Sequence, residues 1–164
     1  MVECARKQID FARNYTLGLL EGLDDALWFQ QPEGCPTHIA WQVGHLAATE
    51  YLLTVFRLRG RERGDDQIMP KDLIRQFGKA SQPNPNPAAN PSPEQLRATL
   101  HAVHELAMAE LPRYSDADLQ DTVIEPYAAY NTKLGSLLFC AHHEMLHAGQ
   151  IGLLRRQLGL EPQR

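Results

Sequence analysis

The run from Thr132 to Leu158 constrains the fold most, because it reads as one long helix carrying His143-Glu144-Met145-Leu146-His147-Ala148-Gly149-Gln150. At about 100° per residue, His143, His147 and Gln150 fall within about 60° of one another, since positions i, i+4 and i+7 stack on one face. Two imidazoles one turn apart, with Cβ atoms about 5–6 Å apart, can share one metal ion. The same stripe holds Ser136 and Cys140 on earlier turns and Leu154 on a later one. Such a partly apolar row suits the inside of a bundle, and Gly159 supplies a left-handed cap at its end.

The rest of the chain offers partners for that helix. Ala5, Ile9, Ala12, Thr16, Leu19 and Leu23 recur at spacings of four and three, the seam of a first helix over Val2 to Leu23. After the breaker cluster Gln31 to Pro36, Thr37 is the expected N-cap of a second helix, running from His38 to Arg59 before Gly60. Trp41, His45, Ala48, Leu52 and Phe56 share one face of it. Pro70 to Lys79 can form a short helix. Ser81 to Pro93 is too rich in proline for helix or sheet, so it reads as a surface connection across the bundle. Ser92-Pro93-Glu94-Gln95 is a capping box opening a third helix, with Leu96, Leu100, Val103, Ala107 and Leu111 inward, His104 at the edge of that row and His101 turned away. Arg113 to Asn131 is a long connection in which Asp116 to Leu119 can hold a helical turn. No strand pattern competes, so the expected class is all-α, a four-helix bundle.

A chain of 164 residues has the size of a single domain, 1–164, with 43% apolar and 22% charged residues as in ordinary globular proteins. A net charge of -4 gives no basic stripe for nucleic acid. No segment has the roughly 20 apolar residues of a spanning helix, and the charged N-terminus lacks the core of a signal peptide, so no membrane partner is expected. Cys4, Cys35 and Cys140 form no metal-binding or disulfide pattern, which points to a reducing, cytoplasmic setting.

His45, on the inward face of the second helix, taken alone reads as a core histidine satisfied by one hydrogen bond; the matching pair on the last helix makes it the expected third ligand, with core polar groups that bind no metal as the weaker reading. Three neutral imidazoles can hold one divalent ion, with Zn, Ni and Fe all suited to such donors, and leave a position open for water or substrate. An ion there makes a thiol or a water a usable nucleophile at neutral pH. Gln150 is expected to hydrogen-bond a ligating imidazole or water at the ion; Cys140 and Trp41 lie on the rows that would line the pocket. For Cys140 the plainer role is a small buried apolar residue, for His38 a capping or surface role, and for Glu144 an interfacial or solvent-facing one. His143-Glu144-Met145-Leu146-His147 also fits the HExxH pattern of zinc peptidases. The surroundings do not: Leu153 stands where one class needs a further histidine, and too little chain follows to supply the glutamate of another.

With both histidine segments read, the chain resembles the DinB-like superfamily of metalloenzymes. The resemblance rests on Thr37-His38-Ile39-Ala40-Trp41-Gln42-Val43-Gly44-His45-Leu46-Ala47 and on His143 to Gln150 with Leu153-Leu154-Arg155-Arg156, and extends to length and helix order. It implies a divalent metal on His45, His143 and His147. It also implies thiol-dependent chemistry, since family members of known activity include S-transferases and an isomerase that use low-molecular-weight thiols. Homodimers are common among them. The expectation is therefore a metal-dependent transferase or hydrolase acting on a small molecule; the alternative is a non-catalytic module in which metal only staples the helices.

Overall fold

The computed structural model describes residues 1–127 and 130–162. Its helices are α1 (Val2–Leu20), α2 (Ile39–Tyr51), the shorter α3 (Lys71–Phe77), α4 (Pro93–Glu110) and α5 (Lys133–Gln157). The fold is all-α, with α1 packed chiefly on α5, α2 on α4, and α2 also against α5. The seam read from α1 is the one that is buried, although the helix stops at Leu20, short of Leu23. The capping box at Ser92 forms in both directions: Gln95 N donates to Ser92 Oγ at 3.2 Å and Ser92 N to Gln95 Oε1 at 2.8 Å. Gly159 has φ +82°, the left-handed conformation expected past the end of α5.

Three local readings need correction. The N-cap of α2 is His38, whose Nδ1 accepts from Trp41 N at 3.2 Å. That imidazole is fully buried and also reaches the carbonyl of Asn84 at 3.0 Å, so it ties the helix start to the proline-rich connection. Secondly, Thr122–Tyr127 (β1) and Tyr130–Thr132 (β2) form a small antiparallel hairpin where no strand was expected. The β-branched run Thr122-Val123-Ile124 is brief, and it is extended through antiparallel pairing with β2 beside the helices. Thirdly, α2 does not run on as regular helix: Leu52–Phe56 is a π-helical segment, followed by a last α turn, Arg57–Arg59.

The buried apolar residues fall into two clusters at opposite ends of the bundle. One holds Leu19 and Leu20 of α1, Val43 and Ala47 of α2, Leu96 and Leu100 of α4, and Ile151 and Leu154 of α5. The other holds Ala5 and Ile9 of α1, Leu53 and Leu58 beyond α2, Leu111, and Leu137 and Cys140 of α5. Between them each long helix contributes a polar residue: Arg13, Glu50, His104 and Glu144. Arg13 donates through Nε to Glu144 Oε1 at 2.7 Å and through Nη2 to Glu144 Oε2 at 3.0 Å. Its Nη2 also lies 2.7 Å from Glu50 Oε2, and Nη1 donates to the Leu100 carbonyl at 2.7 Å. His104 Nδ1 lies 2.7 Å from Glu50 Oε1. Arg13, Glu50 and Glu144 are almost wholly buried, so Glu144 is a core ion-pair partner and not the interfacial or solvent residue expected from the helix wheel. The partner that draws it inward lies on another helix, which an amphipathicity argument cannot see.

Candidate metal centre

On the other side of the same level, α2 and α5 bring three imidazoles together. The ring centroids of His45 and His143 are 5.1 Å apart, those of His45 and His147 4.7 Å, and those of His143 and His147 4.5 Å. One nitrogen from each lies within 4.8 Å of the other two, so the group can hold a metal ion. His45 Nε2 and His143 Nε2 are 3.3 Å apart. That matches the edge of about 3.3 Å that two nitrogens subtend in a tetrahedral zinc shell with bonds of about 2.0–2.1 Å.

The neighbours orient these rings. His45 Nδ1 donates to the carbonyl of Phe77 at 2.7 Å, which leaves its Nε2 as a bare acceptor. The approach of Phe77 depends on Gly44: a Cβ there would stand 2.5 Å from the Phe77 ring. Trp41 stacks on His45 with centroids 4.7 Å apart and planes 8° from parallel, and its indole N–H donates to Ser81 Oγ at 3.0 Å. His45 is thus held by its own helix and by the last residue of α3, with Trp41 tied to the segment beyond.

His147 is held differently. Gln42, fully buried, donates through Nε2 to Thr37 Oγ1 at 3.0 Å and to Gln150 Oε1 at 2.9 Å. Its carbonyl therefore faces His147 Nδ1, at 2.5 Å, and fixes the tautomer that directs the Nε2 lone pair toward the other two rings. Gln150 was expected to hydrogen-bond a ligating imidazole or water at the ion; toward the imidazole it acts one step removed, through Gln42. The signal for Gln42 was a polar residue one turn before His45, inside an apolar helix.

Electrostatics favours the neutral, metal-binding form of all three. Burial lowers His45 below its ordinary value; burial and the His45 ring lower His143 to about 4; burial and the other two imidazoles lower His147 to about 3. Donor chemistry, tautomers and charge state all fit a divalent cation of the zinc, nickel or iron type.

The three rings open onto a cavity of about 390 Å³. Trp41 lines it, as do Ala48, Leu52 and Phe139, with Arg57 and Lys79 as its cationic members. Cys140 does not line it. Its thiol is buried among apolar residues beside the Arg13 layer, where burial and the charges of Glu50 and Glu144 push it well above the ordinary range. The expected pocket place for Cys140 is therefore replaced by its plainer role. Glu144, committed to Arg13, is turned away from the cavity, so the HExxH reading lacks its base. Tyr127 and Tyr130, considered for closure over this pocket, have side chains outside the described residues.

A model of the DinB superfamily matches residues 8–151, most of the chain. The chain belongs to the DinB superfamily. A solved structure, a conserved protein from Enterococcus faecalis, superposes with a TM-score of 0.73 over 97% of this chain and 98% of that one, at 17% identity. At that identity the likeness is one of fold. No curated protein matches the chain. Among the described residues no helix is long and apolar enough to cross a membrane. For this DinB-superfamily chain the site features that sequence reasoning missed are Gln42, Gly44 and the Phe77 carbonyl. All three act through contacts between segments distant in the chain or, for the carbonyl, through backbone that carries no sequence signal.

Proposed function

We propose that the chain is a metal-dependent enzyme in which His45, His143 and His147 hold one divalent ion and a small-molecule thiol or a water is the nucleophile, giving a transferase or hydrolase. The observation that carries this reading is the cavity of about 390 Å³ onto which the imidazoles open, within the size range of small-molecule sites. A metal that only stapled helices would need no such access. A divalent ion on three neutral nitrogens lowers the pKa of a thiol or water brought to it.

The chain's own residues do the rest. Gln42 and the Phe77 carbonyl keep the Nδ1 protons of His147 and His45 on the far side, so the Nε2 lone pairs stay available. Ala48, Leu52 and Phe139 give the cavity an apolar wall that excludes water around the reacting atoms. Trp41, stacked on His45 and tied to Ser81, closes one side.

Two further parts of the reading concern the setting. The free cysteines Cys4, Cys35 and Cys140 suit a reducing, cytoplasmic compartment in which thiols are abundant. Exposed Phe11, Tyr15, Leu146 and Leu153 on α1 and α5 motivate a homodimer, which light scattering on the purified protein would test.

Elemental analysis of the purified protein beside its His147→Ala variant is the first test. The expected result is near one equivalent of metal in the parent and little in the variant, with thiol consumption against small electrophiles only in the metal-loaded parent. Turnover that survives complete demetallation would sink the proposal.

A further inference from the structure

Thr49 carries the only hydroxyl among the described residues that line the histidine cavity. It follows His45 by one turn of α2, about 40° further round the axis, and is half-buried. Its Oγ1 lies 3.5 Å from His45 Nε2, the one hydrogen-bonding contact of this hydroxyl among the described residues.

A threonine inside a helix ordinarily turns its hydroxyl to the carbonyl four residues back, which satisfies the donor locally. Two threonines of this chain do so. Thr54 donates to the Glu50 carbonyl at 2.7 Å, and Thr99 to the Gln95 carbonyl at 2.9 Å. Thr49 forgoes that bond and keeps its hydroxyl beside the imidazole. The contact it gains is poor, because a hydroxyl donor prefers an acceptor at about 2.7–2.8 Å.

That contact is also one that a cation would remove. His45 Nδ1 carries the ring proton, donated to the Phe77 carbonyl, so Nε2 has a single lone pair. A divalent ion on His45 takes this lone pair and leaves the Thr49 hydroxyl without an acceptor among the described protein groups. The hydroxyl is then a donor standing at the margin of the site: its oxygen is 3.5 Å from His45 Nε2, much as the His143 nitrogen is 3.3 Å from the same atom.

We propose that Thr49 is a positioning residue whose hydroxyl donates to the ligand atom at the open position of the ion, so that the site favours anionic oxygen or nitrogen ligands that keep a spare lone pair when coordinated. This rests on the metal-dependent reading above and names the ligand chemistry that the site prefers. A neutral aromatic nitrogen spends its only in-plane lone pair on the metal and cannot accept from Thr49. An anion retains further lone pairs, and a hydrogen bond to a charged acceptor beside the apolar wall of Ala48, Leu52 and Phe139 is stronger than a neutral one in water.

The test uses the full chain loaded with Co²⁺, whose visible spectrum changes when a ligand joins the histidines. Azide and imidazole are the probes: both bind through nitrogen, and only azide keeps a lone pair on the bound atom. Thr49→Val, equal in shape but without the hydroxyl, should weaken azide about tenfold and imidazole by less than about twofold. Thr49→Ser should restore most of the azide affinity. Thr49→Ala replaces the valine variant if that one does not load; loss of cobalt from both would make the hydroxyl a metal ligand in its own right and overturn the positioning role. Parent protein that takes up no cobalt, or takes it up and binds neither probe, overturns the reading of an open metal site and this inference with it. Cobalt-loaded parent and valine variant that bind azide equally, or a variant that weakens both probes alike, overturn the role of Thr49 and leave the metal reading standing.

Discussion

His143 and Glu144 are adjacent in the chain, at the same height in the bundle and about 100° apart on α5, and they serve two polar regions of opposite character. On the Glu144 side, charge is buried and matched: two carboxylates face Arg13 and the His104 ring, and the layer is closed off between two apolar clusters. On the His143 side, uncharged rings direct lone pairs at one another beside an open cavity. A buried ion layer lends the bundle register, because any helix slip strands a charge. The histidine group lends it nothing comparable without a cation, since its rings meet through a single ring-to-ring contact of 3.3 Å between His45 and His143.

Removing one charge from the closed layer is the most damaging change. Arg13→Ala leaves Glu144 buried and uncompensated, and Glu50 with His104 alone, and should cost about 3–5 kcal/mol, lowering Tm by roughly 6–20 °C. His147→Ala in the metal-free protein should cost far less, since the lost group is a desolvated polar ring, while abolishing metal uptake. Thermal melts of the two metal-free variants check this; equal losses would erase the distinction between the regions.

Next come the residues that support the rings. Gln42→Met keeps the volume but removes the acceptor for His147 Nδ1–H, and metal affinity should fall about 10–100-fold. Competition with a chromogenic chelator measures it. Gly44→Ala drives a methyl group into the Phe77 ring and should cost about 1–3 kcal/mol, loosening metal binding as the Phe77 carbonyl withdraws from His45. Chemical denaturation of apo and loaded protein separates the two effects.

The long helices were legible because their signals are local: the seam Ala5-Ile9-Ala12, the capping box at Ser92, the glycine after Leu158. The meeting of His45 with His143 and His147 was legible because a stripe on each of two helices can face only inward. What was not legible depends on tertiary contact. Glu144 reads as an interfacial or solvent-facing residue until Arg13, 131 positions away, is placed beside it. The π segment has no compositional mark, since Leu52-Leu53-Thr54-Val55-Phe56 would serve an α-helix equally well, and its consequence, the exchange of Phe56 for Arg57 on the cavity wall, follows only from the winding. The β1–β2 hairpin was hidden for a related reason, being short and stabilised by the helices it touches.

The smallest effect expected is also the one that separates the two regions by sign. In the closed layer, burial works against protonated His104 but Glu50 outweighs it, with Asp10 assisting and Arg13 opposing, so its pKa is raised. A raised folded-state value means that its contribution to stability is complete below about 6.5, the unfolded value, and is lost as pH climbs through the folded one. In the histidine group the shift is reversed, with His143 lowered to about 4 and His147 to about 3. Their neutral rings cost nothing extra above about 6.5, and stability is lost as pH falls from there toward 3, because the unfolded chain takes up protons that the folded one refuses. Metal-free stability should therefore decline on both sides, for reasons housed in different layers. His104→Gln, which can still donate to Glu50, should flatten only the alkaline limb relative to the parent, and His143→Ala/His147→Ala only the acid limb. Urea titrations from pH 5 to 9 decide it: a variant that flattens the opposite limb would show that the two layers titrate as one network, and the division between a closed structural layer and an open ligand-binding one would have to be abandoned.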